Sequence, residues 1–135
     1  MKTVKCCLVL VCVIVLANVV IRNVAMRHIA QGISLSDKIV CYNSGGVSQE
    51  MQVDAALRAK MLKIIDDCES FSFFNFTKMA HVSDLEFFDE ATNLCLRIRV
   101  FDGRCLMVNE HKIVVKGDIV DACGFTNRVE TVSDK

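Results

Sequence analysis

The sequence LCLRIRVFDGRCLMV, at residues 94–108, indicates the fold because charged and apolar side chains alternate before Asp102-Gly103 and an apolar run follows. An Asp-Gly pair between two such runs is typical of a two-residue hairpin turn, since glycine accepts the positive φ angle that this turn requires. With these two residues as the loop, Phe101 faces Arg104. The segment therefore predicts an antiparallel hairpin.

This register divides the hairpin into two faces, because side chains directly opposite one another point the same way. One face is predicted to be core and holds Leu96, Ile98, Val100, Cys105 and Met107. The outer face holds Cys95, Arg97, Arg99, Phe101, Arg104, Leu106 and Val108. Cys95 and Cys105 then point to opposite faces, and we expect Cys105 to find a partner inside, either Cys68 or Cys123.

Three arginines on the outer face make it a candidate binding face, with Arg97, Arg99, Phe101 and Arg104 as its residues. Three cations on one sheet face repel one another unless something neutralises them. Two sources of negative charge are open: an external acidic partner, or an internal acidic stretch folding back across the face, namely Asp84, Glu86, Asp89 and Glu90. Mixed arginine and aromatic surface suits protein binding, and a merely solvated sheet face is the third interpretation.

The flanking segments predict an α+β fold. Apolar residues recur at helical spacing over residues 48–68, where Ser48 is the expected cap of one long helix. The remaining segments are a strand-like run at 71–79, a short helix or irregular connection at 84–93, and a further strand at 112–116 that turns at Gly117-Asp118 into residues 119–122. We expect one long helix packed on a three- to five-stranded antiparallel meander, disulfide-stabilised and preceded by a hydrophobic N-terminal leader.

The leader has a positive start, with Lys2 and Lys5, and then no charge over residues 6–21 before Arg22. This order is typical of a signal peptide, and Ala17 ends a permitted cleavage sequence. As a helix, residues 6–21 span roughly 24 Å against about 30 Å of hydrocarbon, so snorkelling flanking charges also allow a signal anchor. Both readings send the rest of the chain into the secretory pathway, to be secreted or held on a membrane with the C-terminal domain extracytosolic.

The chain divides into three predicted regions: a leader at 1–21, an amphipathic connector at 22–40 whose helix stops at Gly32, and a small α+β domain at 41–135. Five cysteines follow the leader, and all are disulfide candidates: Cys41, Cys68, Cys95, Cys105 and Cys123. None forms a CxxC pair, which disfavours a zinc ribbon or a thioredoxin-type site. Five thiols in a small non-cytosolic domain predict two disulfides and one odd cysteine, either buried or paired with another chain.

Asn75-Phe76-Thr77 is the one glycosylation sequon, and the leader makes it accessible to glycosylation in a eukaryotic cell. Its setting is apolar on both sides, so a glycan requires an edge or a turn there. Asn75 is therefore the predicted glycosylation site, if the chain is a glycoprotein.

Motifs of catalysis and of metal or cofactor binding are missing from the sequence. His28, His81 and His111 are not at ligand spacing, and no GxSxG, HExxH or P-loop is present. Without Lys2 and Lys5, the chain has fourteen basic and sixteen acidic side chains, which disfavours nucleic-acid binding. We therefore expect no catalytic residues, no metal, no cofactor and no nucleic-acid partner.

The order of elements resembles that of cystatins: Gly45-Gly46, the predicted helix at 48–68, and a meander from Thr92 through Cys105. The resemblance implies a cystatin-like fold. However, residues 78–82 stand where cystatins have Gln-x-Val-x-Gly, and the chain has no proline or tryptophan for the second inhibitory loop. The sequence thus predicts a non-enzymatic interaction domain with a protein partner. The alternatives are a subunit of a surface or viral envelope complex anchored by residues 6–21, and a cystatin-like inhibitor without the usual loops.

Overall fold

The computed structural model describes residues 1–43, 45–46, 48–72 and 82–125. The helices are α1 (Lys2–Leu35), α2 (Ala55–Asp66) and α3 (Ile119–Ala122). The strands are β1 (Lys38–Asn43), β2 (Ser48–Gln52), β3 (Cys68–Ser72), β4 (Ser83–Phe88), β5 (Leu94–Val100), β6 (Cys105–Val108) and β7 (His111–Val115). The α+β class is confirmed.

The strands form one antiparallel sheet in the order β2-β1-β4-β5-β6-β7-β3. These seven strands exceed the predicted three to five because polar segments also pair. In β2, Met51 is the only apolar residue, yet the strand pairs with β1 along one edge of the sheet. In β4, Leu85 and Phe87 face the core while Asp84 and Glu86 lie on the outer face, so 84–93 begins as a strand rather than a helix.

The predicted helix at 48–68 is wrong in its first third. Ser48 begins β2, and the helix cap is Asp54, whose carboxylate accepts a hydrogen bond from the Leu57 N–H at 2.7 Å. A carboxylate that satisfies a free N–H of the first turn fixes where a helix begins. Gly45-Gly46 therefore precedes a strand, and the element order behind the resemblance to cystatins differs from that of the structure. The prediction does hold for α2, where Met61 and Ile65 are buried.

The C-terminal third of α1 belongs to the core of the domain. Ile29 and Ile33 are almost fully buried against the sheet and α2. Gly32 does not end the helix, as predicted, but lies inside it, where an added Cβ would stand 2.7 Å from the Leu96 Cβ. Glycine thus lets the helix approach the sheet closely. The helix ends at Leu35, and the Ser36 hydroxyl donates to the Ile33 carbonyl at 2.7 Å.

The N-terminal part of α1 is apolar and exposed. Leu10 and Ile14 are 61% and 52% exposed, and the exposed apolar side chains continue to Val24. By length and composition, α1 can cross a membrane. The leader is thus a long apolar helix, compatible with a signal peptide or a signal anchor.

The turn after β5 has three residues, not two. Val100 lies opposite Leu106, and the Phe101 N–H donates to the Cys105 carbonyl at 3.0 Å. The cause is Asp102, whose carboxylate accepts the N–H groups of two residues that follow it, Arg104 at 2.9 Å and Cys105 at 2.6 Å. Gly103 provides the left-handed residue, at φ +85°.

This shift of one residue turns β6 over, because side chains alternate between the faces of a strand. Leu106 and Val108 join the core, whereas Cys105 and Met107 lie on the outer face, so the predicted faces of β6 are wrong. The predicted disulfides are also absent. All eight cysteines lie in described residues, and all are free thiols.

The three helices cover one face of the sheet. The core between them includes Ile39, Leu85, Phe87, Ile98, Leu106 and Ile113 from the sheet, and Ile29, Ile33, Met61, Ile65, Ile119 and Val120 from the helices. Residues 119–122, which follow the turn at Gly117-Asp118, form the short helix α3. The outer face of the sheet carries the arginines of β5.

Candidate functional site

Two of the predicted binding-face arginines lie together on β5, opposite carboxylates on β4. Arg97 pairs with Glu86 and Arg99 with Asp84 in the strand register. The Arg97 Nε donates to Glu86 Oε1 at 2.7 Å, while the Arg99 Nε stands 4.0 Å from Asp84 Oδ1. An internal carboxylate therefore accompanies each of these arginines, and it comes from the neighbouring strand. Both guanidinium groups remain half exposed, so such pairs contribute little to stability.

The other two binding-face candidates are elsewhere. Arg104 is in the turn after β5, where its Nε donates to the Val115 carbonyl at 3.1 Å and its Nη2 lies 3.3 Å from Glu69. Phe101 is buried, at 8% exposure. The predicted cluster of four is thus reduced to Arg97 and Arg99.

The remaining acidic candidates do not reach the arginines through any described contact. Asp89 accepts hydrogen bonds from the backbone N–H of Asn93 at 2.8 Å and from its side-chain amide at 3.0 Å. The side-chain bond and then the backbone bond from Asn93 lower the pKa of Asp89. Glu90 lines a polar depression with Asp37 and Lys38. Asp89 thus supports the turn between β4 and β5, and neither carboxylate has a described contact with the arginine face.

A gap opens in the sheet beside the two arginines. β5 has seven residues, but β6 pairs with only Arg99 and Val100 of it. Between the first half of β5 and the turn that joins β6 to β7 lies a cavity of about 420 Å³, which we call the sheet gap. Its polar lining includes His28, Cys95, Arg97, Arg99, Asn109 and Glu110. No pattern in the sequence predicts this cavity.

The turn between β6 and β7 forms one wall of the sheet gap and has a strained backbone. Asn109 and Glu110 have φ angles of +47° and +69°, and Val108 pairs with His111 across them. A two-residue hairpin turn requires positive φ at both central positions, for which asparagine is suited and glutamate is not. Strain of this kind concentrates at functional sites. No glycine marks this turn in the sequence.

An apolar groove runs along α1 on the other side of the same turn. It has a volume of about 240 Å³, and we call it the helix groove. Ile21, Val24 and Ala25 of α1 line it together with Val108. The helix groove and the sheet gap share His28 and Asn109 in their linings. A cavity with a mixed polar and apolar lining therefore adjoins an apolar groove at one point of the molecule.

The five cysteines that follow the leader lie in environments that disfavour the thiolate. Burial raises the pKa of the thiols of Cys41, Cys68, Cys95 and Cys105, and it raises that of Cys123 to about 12. A thiol reacts as its thiolate, which these environments disfavour at neutral pH. In the described part of the chain, no cluster of three or more histidine, cysteine and acidic side chains could hold a metal ion. Asn75 and residues 78–81 lie outside the described residues.

Comparison with known proteins finds no family model, no curated protein and no solved structure that matches this chain.

Proposed function

We propose that the chain is a membrane-anchored, non-enzymatic interaction domain, with its C-terminal domain on the extracytosolic side. One observation supports this most strongly: the apolar leader and a core helix of the domain are a single uninterrupted helix. The part before Arg22 has exposed apolar side chains, and the part after it supplies Ile29 and Ile33 to the core. Exposed apolar helix of this length is stable in lipid rather than in water.

The apolar part of α1 continues into the domain without an intervening linker. Burial raises the pKa of the Cys68 thiol, and the positive charge of the nearby Arg22 partly offsets this rise. The first charge after the apolar segment thus lies near β3. Val20 and Val24, which flank Arg22, are 58% and 63% exposed. An anchor would place these side chains in or beside lipid, whereas a cleaved domain would leave them in water.

The proposed interaction role is supported by two exposed arginines on the surface of the domain. Arg97 and Arg99 are half exposed beside the sheet gap. Arginine is enriched at protein interfaces because its planar group donates several hydrogen bonds at once. A protein partner, including another subunit of a membrane complex, could use this surface.

The second candidate function is that of a secreted binding protein, released by cleavage of the leader. The sequence Val15-Leu16-Ala17 permits cleavage after Ala17, and α1 would then begin at Asn18 and keep its core contacts. The released domain would be a soluble binding protein.

Membrane fractionation of cells that express the full chain tests the anchor. We expect the wild-type chain to stay in the pellet after an alkaline wash and to be digested only by protease on the extracytosolic side. The double variant Leu10→Arg/Ile14→Arg should move to the supernatant, since each arginine costs about 2.5–3.5 kcal/mol at the centre of a membrane helix.

The matched control is Ser34→Arg, which adds a charge to an exposed position in the domain part of the same helix. It should stay with the membrane. Release of the wild-type chain as a shortened soluble protein would favour secretion instead.

A further inference from the structure

The helix groove and the sheet gap together have the form of a site for an amphiphile. The helix groove is lined by Ile21, Val24 and Ala25 on one side of the Asn109 turn. The sheet gap, on the other side of the turn, presents the guanidinium groups of Arg97 and Arg99. A molecule with an apolar chain and an anionic head would match both cavities at once.

If α1 is the proposed membrane anchor, the length of the helix gives the depth of the two cavities relative to the membrane. Ile21 is the last residue of the uncharged segment, and His28 follows seven residues later. Residues 6–21 span roughly 24 Å of a hydrocarbon core of about 30 Å, so a centred segment leaves Ile21 about 3 Å inside its edge. His28 is about 10 Å further along the helix and therefore lies about 7 Å outside that edge. A bilayer of about 40–45 Å has a hydrocarbon core of about 30 Å, so each headgroup layer is roughly 5–8 Å thick. The sheet gap therefore opens at the outer level of the lipid headgroups.

The guanidinium N–H donors at the sheet gap suit a phosphate. Arg97 directs both Nε and Nη2 to a single oxygen, Glu86 Oε1, and keeps further N–H donors available. Arg99 is only loosely paired, at 4.0 Å from Asp84. Glu110 is the one carboxylate among the described residues of the lining. Guanidinium groups bind phosphate oxygens in pairs, with charge-assisted hydrogen bonds.

We propose that the sheet gap binds the anionic headgroup of a membrane lipid, with an acyl chain of that lipid lying in the helix groove. The sheet gap has a volume of about 420 Å³, which is within the usual range of ligand sites. A guanidinium-lined cavity that adjoins an apolar groove matches the two parts of an anionic lipid. The occupant would come from the same bilayer that holds α1.

The test uses the full chain in nanodiscs of phosphatidylcholine, with or without phosphatidylglycerol carrying a photoreactive group at the headgroup. We expect phosphatidylglycerol to label residues of the sheet gap and to raise the midpoint of thermal unfolding. The variant Arg97→Gln/Arg99→Gln should reduce labelling by about tenfold or more, which corresponds to about 1.4 kcal/mol, because it removes the charge-assisted hydrogen bonds to the headgroup. Arg104→Gln is the matched control, since this arginine is equally exposed but lies outside the lining, and it should label as the wild type does.

Each other outcome overturns the proposal. Equal labelling by a photoreactive phosphatidylcholine, or equal losses in the two variants, would indicate only general attraction to the bilayer. Competition by inorganic phosphate at the same concentration as the lipid would identify a free anion as the ligand. Co-elution of the chain with the nanodisc is measured first and tests the anchor. If the chain inserts but shows no lipid preference, the anchor stands and the headgroup site is excluded. If the chain does not insert, both proposals fail.

Discussion

Replacing Ile33 with alanine is expected to lower the free energy of unfolding of the domain by about 2–5 kcal/mol. Ile33 is fully buried on the face of α1 that packs against the sheet. Removing its side chain loses buried apolar surface and leaves a cavity, because a packed core collapses only in part. Urea denaturation of the full chain in detergent, followed by the fluorescence of Tyr42, measures this loss. Tyr42 is the only tyrosine, and the chain has no tryptophan.

The same substitution at Ile14 is the control. Ile14 belongs to the same helix but is 52% exposed and contributes nothing to the core. The stability of the domain should change by less than about 0.5 kcal/mol. Equal effects at the two positions would contradict the division of α1 into a membrane part and a core part.

The Gly103→Ala variant is expected to lose about 2–4 kcal/mol. Part of the loss is backbone strain, since Gly103 has φ +85° and the left-handed conformation costs a non-glycine residue about 1–2 kcal/mol. The rest is steric, because an added Cβ would overlap the carboxylate of Asp118. This carboxylate caps α3 by accepting the N–H groups of Val120 and Asp121 at 2.9 and 3.0 Å. Displacing a cap costs about 0.5–2 kcal/mol.

Two other glycines separate these contributions in the same denaturation assay. Gly46 has φ +76° with no described atom near an added Cβ, so Gly46→Ala should show the strain alone, about 1–2 kcal/mol. Among the described residues, Gly45 has no positive φ and no atom within 4 Å of an added Cβ, and Gly45→Ala should be neutral or slightly stabilising. Similar losses in all three variants would exclude the contact between Gly103 and Asp118.

The sequence is sufficient to predict the elements whose signals are local. The leader, the strands on either side of Asp102-Gly103 and the strand near 112–116 all follow from apolar patterns and one turn signal. The register of the hairpin cannot be predicted from these patterns, because it depends on the carboxylate of Asp102. That side chain lengthens the turn by one residue and so reverses β6. A single hydrogen-bonding choice thus decides whether Cys105 or Leu106 enters the core.

The candidate site is predictable only in part, because its geometry is not local. Arg97 and Arg99 stand out in the sequence, and so do the acidic residues that neutralise them. That Glu86 and Asp84 do so from a neighbouring strand depends on the pairing of β4 with β5. The sheet gap depends on the short β6 and on a turn without glycine at Asn109 and Glu110. Neither has a signature in the sequence.

The central claim is that the leader is retained as the membrane part of α1, and the intact mass of the chain purified from cell membranes tests it most directly. Enzymatic removal of any glycan before the measurement avoids an ambiguity at Asn75. Retention predicts the full 135-residue chain, of 15.1 kDa. A shorter chain that begins at Asn18 would contradict the account, since the leader would then be a cleaved signal and α1 would have no membrane part.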